Sequence, residues 1–226
     1  MAEPVTCIIP VHNGAATIER AVKSAVDAGC DYVIVYDDAS TDDTLDKLEK
    51  IKYMYLDVYA AFPLNINQGV NYSRNFLCQQ ARDGLIIPLD ADDTLCDITP
   101  LRNAWHLGVW VYGDYWQHEG GSTTPIPGAP AGALPRKELT GISFMFHKRD
   151  WLMAGGYDPD FAYCEDWAFQ CNLTHHSIKP VYVETVVYER YLNAQGNERT
   201  SRAGEYWNFY HLMARRKYPS LFTVNR

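Results

Sequence analysis

The sequence predicts an α/β fold: a Rossmann-like, mostly parallel sheet flanked by helices, followed by a smaller mixed subregion. Short apolar runs rich in β-branched residues alternate with helix-spaced segments from residue 5 to residue 93, with short connections between them. That is the pattern of a sheet wound by right-handed crossovers. Two of the runs end in carboxylates, Asp37-Asp38 and Asp90-Ala91-Asp92-Asp93. In such sheets ligands bind outside the carboxyl ends of the strands, so both clusters are expected in one crevice.

Residues 5–10 (Val-Thr-Cys-Ile-Ile-Pro) read as the first strand, broken by His12-Asn13-Gly14. Residues 15–28 have helical spacing through Ile18, Ala21, Val22 and Ala25, with Gly29 as the stop. Residues 32–36 are a buried strand, 42–50 a helix capped by Ser40 or Thr41, and 54–59 a third strand. Asn67-Gln68-Gly69 opens a helix carrying Tyr72, Phe76, Leu77 and Ala81, and the strand 85–89 follows the Asp83-Gly84 turn.

The second half is less regular. Strands are expected at 108–116, 142–147 and 181–188, a short helix at 151–154 stopped by Gly155-Gly156, and helices at 165–171 and 203–218. Residues 118–136 lack periodicity and are rich in Gly, Pro, Ala and Thr, which predicts a long mobile surface loop. No linker divides the chain, so one domain over 1–226 is expected, with two subregions that meet at about residue 95.

A net charge of -8 gives no basic surface for nucleic acid or an anionic membrane. No stretch is long and apolar enough to span a bilayer. The six cysteines include no CxxC pair and mostly sit in apolar segments, which suits buried thiols in a reducing compartment, hence a cytoplasmic protein. His175, His176 and His211 lack zinc spacing and read as structural.

The stretch 85–93 carries most of the chemistry. Side chains alternate along extended backbone, so Asp90 and Asp92 point the same way while Ala91 points away. Two carboxylates converging at a buried strand end call for a compensating cation, and Mg²⁺ or Mn²⁺ held by one or two carboxylates plus phosphate oxygens fits.

Six motifs in order resemble one family. They are Ile8-Ile9-Pro10-Val11-His12-Asn13; Val35-Tyr36-Asp37-Asp38-Ala39-Ser40; Asn67-Gln68-Gly69 with Ser73-Arg74-Asn75; Leu89-Asp90-Ala91-Asp92-Asp93; Gly155-Gly156-Tyr157-Asp158; and Glu165-Asp166-Trp167. The chain resembles a GT-A fold glycosyltransferase of the inverting family 2. His12 and Ala39 depart from it, standing where the family usually has Tyr and Gly. The resemblance implies transfer of a sugar from a nucleotide-sugar, a UDP-sugar first, to a hydroxyl of a glycan or lipid-linked acceptor. Pro10, His12, Asp37, Asp38, Arg74, Asp90, Ala91 and Asp92 would contact the donor, and Asp92 with Asp90 would hold the metal. Asp166 would be the base, with Glu165 positioning it.

Each motif also has a plainer use. Asp37-Asp38 and Glu165-Asp166 suit the acidic starts of helices. Trp167 stacks on a sugar or fills a core, and residues 189–202 close over a diphosphate or form a solvated loop. The aromatic stripe of the last helix serves core packing or a homodimer contact. A catalytically silent nucleotide- or carbohydrate-binding protein of the same fold is the rival reading. Asp90-Ala91-Asp92-Asp93-Thr94 also fits the nucleophile signature of haloacid-dehalogenase-like phosphatases, but three strand–helix units precede it and no Asp-Asp pair follows.

Overall fold

The computed structural model describes residues 3–54, 58–61, 66–192 and 198–222. In chain order the first half holds β1 (Val5–Val11), α1 (Ile18–Asp27), β2 (Tyr32–Asp37), α2 (Thr44–Met54), β3 (Val58–Ala61), α3 (Val70–Gln80) and β4 (Leu85–Pro88). There follow β5 (Thr94–Leu95), α4 (Thr99–Ala104), β6 (Val109–Glu119), β7 (Ser122–Ile126), β8 (Phe146–His147) and α5 (Lys148–Ala154). The chain continues through α6 (Glu165–His175), β9 (Lys179–Leu192), α7 (Glu198–Lys217) and α8 (Pro219–Phe222).

The strands form two sheets. The first has the order β3-β2-β1-β4-β8, with β1 to β4 parallel and β8 antiparallel at the edge. Alternation along its strands loads both faces. Val5, Cys7, Ile9 and Val11 enter one core with Ala21 and Val22 of α1, while Ile8, Ile34, Tyr36 and Ile86 enter the other with Leu77 of α3 and Phe169 of α6. Each buried Val, Ile or Leu contributes roughly 1.5–3 kcal/mol of transfer free energy. The second sheet, order β5-β9-β6-β7, is mixed: β9 runs parallel to β6, and β5 and β7 are antiparallel to their neighbours. Met145 bridges to Val111, so the chain entering β8 links the sheets.

Several boundaries differ from the sequence reading. Residues 14–17 form a turn, and α1 starts only at Ile18. Helix α2 runs to Met54, because Leu48 and Ile51 continue its buried stripe, and the third strand starts at Val58. Only Phe146–His147 of the expected strand 142–147 pairs within the first sheet. The first half of the expected loop 118–136 is a hairpin: β6 extends to Glu119, Gly120 and Gly121 turn with φ of 57° and 82°, and β7 pairs back from Ser122 to Ile126. A polar edge strand buries no face, so it leaves no periodicity in the sequence. The short β5 and α4 left no signal either. Of the segment 189–202, the start belongs to β9 and the end to α7; residues 193–197 lie outside the described residues.

Trp167 is fully buried and its indole N–H donates to the Leu134 carbonyl at 2.7 Å, so it is a core residue and not a sugar platform. Gly155 and Gly156 end α5 with φ of 78° and 84°. A Cβ at Gly156 would lie 2.5 Å from Asn75 Oδ1, the oxygen that accepts from Tyr157 N and Trp151 Nε1. Gly156→Ala is therefore expected to cost more than about 1 kcal/mol, measured by urea denaturation. Wild-type stability in that variant would contradict the close approach.

Candidate active site

Three loops meet at the carboxyl end of the first sheet, after β1, β2 and β4, with β1 between the other two. The first two loops lock together. His12 Nδ1 donates to the Asp38 carbonyl at 2.8 Å, Asn13 N to Ser40 Oγ at 2.8 Å, and Gly14 N to Thr44 Oγ1 at 2.9 Å. Pro10 is buried in register with Tyr36. His12 is exposed. Ala39, where the family pattern has Gly, adopts a φ of 61°, a conformation that costs an alanine roughly 1–2 kcal/mol.

Asp38 accepts from Gln68 N at 2.7 Å and Gly69 N at 2.8 Å, so each oxygen serves the start of α3. Its role in this structure is that of a cap supplied from another strand. Asp37 is also buried; Oδ2 accepts from Ser40 N at 3.2 Å, and Oδ1 has no partner.

After β4, Asp90, Asp92 and Asp93 each present an oxygen, all within 4.8 Å of one another. Burial, reinforced by Asp90, raises the Asp92 carboxyl above its ordinary range. Burial and the two neighbouring carboxylates push Asp93 up to about 8, against the Tyr191 amide that donates to it at 2.9 Å. Crowded, desolvated carboxylates of this kind fit a hard divalent cation, which removes the repulsion that raises them. Asp90 and Asp92 were expected in this set; Asp93 joins them.

Arg74 joins this cluster to α6. Its side chain is 1% exposed. Nη2 donates to Asp90 at 3.0 Å, and Nη1 to Asp166 at 2.7 Å and Glu165 at 3.3 Å. The sequence reading sent Arg74 to the donor's base or phosphate; here its fork is taken up by carboxylates. Burial opposes its charge, but Asp166, Asp90 and Glu165 outweigh that and raise its pKa. Burial pushes the Asp166 carboxyl well above its usual range, with Glu165, Asp90 and Glu138 adding to the rise and Arg74 opposing it. Asp166 keeps 19% of its side chain accessible. Ala91 is half-buried near Gly14, whose added Cβ would meet it at 3.7 Å.

Residues absent from the expectation complete the site. Arg20, in the first turn of α1, donates to the Asp92 carbonyl and stacks 4.0 Å over the Tyr191 ring. Its place just after the β1 loop was the available signal. Glu138 stands within the field of Arg190, Glu165 and Arg74, and nothing local in the sequence marks it. His175, His176 and His211 bond Ser220, the Asn172 carbonyl and the Pro135 carbonyl respectively.

Residues 6–103 match the model of the family described as Glycosyl transferase family 2. The match covers the parallel strands of the first sheet and the helices between them, less than half of the chain. Among curated proteins, none matches the sequence. Solved glycosyltransferases share its fold. S. aureus TarS 1–349 in complex with UDP-GlcNAc aligns with a TM-score of 0.70 at 15% identity, over 88% of this chain and 61% of that one. The mannosyltransferase PcManGT from Pyrobaculum calidifontis, with GDP-Man and Mn²⁺, gives 0.69 at 18% identity over 94% and 62%. GalNAc-T7 with UDP, GalNAc and Mn²⁺ gives 0.67 at 18% identity over 86% and 45%. The chain thus has the GT-A fold and spans about 60% of the TarS 1–349 chain. No helix among the described residues is long and apolar enough to cross a membrane.

Proposed function

We propose that this chain acts as a family 2 glycosyltransferase and transfers a sugar from a nucleoside-diphosphate sugar, a UDP-sugar first, to an acceptor hydroxyl with inversion. The observation that carries the reading is the reach of Arg74, which bonds Asp90 of the strand-end cluster and Asp166 of α6 with one side chain. Carboxylates suited to a metal and a carboxylate suited to a base thereby face one space.

Asp90 and Asp92 would hold Mn²⁺ or Mg²⁺, which stabilises negative charge on a departing diphosphate. Pro10, His12 and Asp37 border the space where the nucleotide would lie, and the unpaired Asp37 Oδ1 is a free acceptor there. Asp166 accepts the proton of the acceptor hydroxyl as that oxygen attacks the anomeric carbon. The new C–O bond forms on one face while the bond to the diphosphate breaks on the other, and the diphosphate leaves with the electron pair. Glu165 shares Arg74 with Asp166 and so holds the base in place. Arg74 stays on the protein side of the site as the counter-ion of these carboxylates.

Calorimetry with UDP, GDP, dTDP and CMP, each with and without Mn²⁺, tests the donor side. One diphosphate is expected to bind, and to lose affinity in EDTA. In Asp92→Ala its affinity with Mn²⁺ should fall about 10- to 100-fold, as when metal-site groups are removed. Wild-type Mn²⁺ dependence in that variant would sink the metal assignment. Binding without transfer to any acceptor would favour the silent binder.

A further inference from the structure

Arg20 stands in the first turn of α1, where the positive end of the helix dipole disfavours a cation. Its partners lie outside the helix. The guanidinium donates to the Asp92 carbonyl and stacks 4.0 Å over the Tyr191 ring. Tyr191, near the end of β9, holds the next residue of the same loop, because its amide donates to Asp93 Oδ1 at 2.9 Å. The loop also closes on itself, with Asp93 N donating to the Asp90 carbonyl at 3.1 Å. Asp92 is therefore held through its own carbonyl and through its neighbour, and Tyr191 takes part in both holds.

The Tyr191 ring is itself fixed. Its hydroxyl donates to Glu189 Oε2 at 2.6 Å, and the His118 ring stacks on it at 4.5 Å with 10° between the planes. His118 Nε2 donates to the same Glu189 oxygen at 3.1 Å, and Thr123 Oγ1 donates to its Nδ1 at 2.9 Å. Helix α1, strand β9 and the β6–β7 hairpin thus meet on one ring beside the strand-end acids. Ordering an exposed arginine costs side-chain entropy that a cation–π contact alone scarcely offsets. The hydrogen bond to Asp92 is what the stack adds to the site.

We propose that Arg20 is a positioning residue for the strand-end acids. Stacked on Tyr191, it fixes the backbone at Asp92, so that the Asp90 and Asp92 carboxylates keep the mutual geometry a divalent cation requires. The assignment rests on the proposed metal-assisted transfer and names the residues that preset its metal site. A group that orients ligands without touching the ion raises affinity, because ligands already in place lose little freedom on binding. The arrangement also gives the β6–β7 hairpin a role, since His118 seats the ring on which Arg20 lies.

The test titrates Mn²⁺ into the full chain, alone and with UDP or GDP, and follows the loss of the free-ion signal by electron paramagnetic resonance. Arg20→Met should bind Mn²⁺ about tenfold more weakly than the wild type, as when outer groups of a metal site are removed, and Tyr191→Leu should match it. Arg20→Lys keeps a donor for the carbonyl and should recover part of the loss. Tyr191→Phe keeps the ring and should bind close to the wild type. The double variant Arg20→Met/Tyr191→Leu should be no weaker than either single variant, because the two side chains act as one unit. Wild-type Mn²⁺ affinity in Arg20→Met or in Tyr191→Leu overturns the positioning role, even where thermal stability falls, and so does full additivity in the double variant. Asp92→Ala separates this from the metal reading. If the wild type binds no Mn²⁺, or Asp92→Ala binds it equally well, the metal reading itself fails. If Asp92→Ala loses the ion and Arg20→Met keeps it, only the positioning role fails.

Discussion

Asp166→Asn should abolish sugar transfer, by about 10²- to 10⁴-fold, the usual contribution of a positioned general base. The amide keeps the shape and can still meet Arg74, which retains Asp90 and Glu165 as counter-ions. Affinity for the nucleoside diphosphate should therefore stay close to that of the wild type. The pH profile carries a second sign of the role. A base must be ionised to accept a proton, and burial raises the Asp166 pKa well above its ordinary 3.8. Wild-type transfer should then fall as the pH drops through that raised value, and the limb should vanish with the carboxylate. If the variant loses nucleotide affinity instead of turnover, Asp166 is not the base.

Arg74→Met should cost about 3–5 kcal/mol of stability, the typical result of removing one partner from a buried ion pair. Methionine fills much of the volume but leaves Asp90, Glu165 and Asp166 facing one another without their cation. Burial and its acidic neighbours already raise the folded-state pKa of Asp166 above its ordinary value, and loss of the Arg74 charge that opposes them raises it further. The stability of the protonated form is then complete at low pH and lost as pH rises through the raised Asp166 value, so the deficit should shrink in acid. Urea denaturation across pH measures both features. A deficit independent of pH would mean that packing around Arg74, and not charge, dominates.

The two predictions show where the sequence stopped. The parallel sheet was legible because each strand and helix writes its own period: Ile8 and Ile34 face one core, Cys7 and Val33 the other, and each pattern is complete within a few residues. The strand-end carboxylates were legible for the same reason, being four adjacent positions. The β6–β7 hairpin was not, because its edge strand Ser122–Ile126 is exposed and buries no alternating face.

The partners of Arg74 were illegible from position alone. It meets Asp166 across 92 residues of chain, and only the packing of α3 against α6 decides that its fork points at acids and not at a ligand. The same holds for Asp38. Its sequence context offered a nucleotide contact or a cap for the helix that follows it, and the fold gave it to the start of α3, 30 residues away. Glu138 is the extreme case, since the charges whose field it shares, Arg74, Glu165 and Arg190, come from α3, α6 and β9. The sequence by itself determined the alternating architecture and the strand-end acids, because these are written in short-range periodicity and in contiguous motifs. The tertiary structure decided which charge meets which, because an ion pair in a low-dielectric interior depends on distances that no local pattern records.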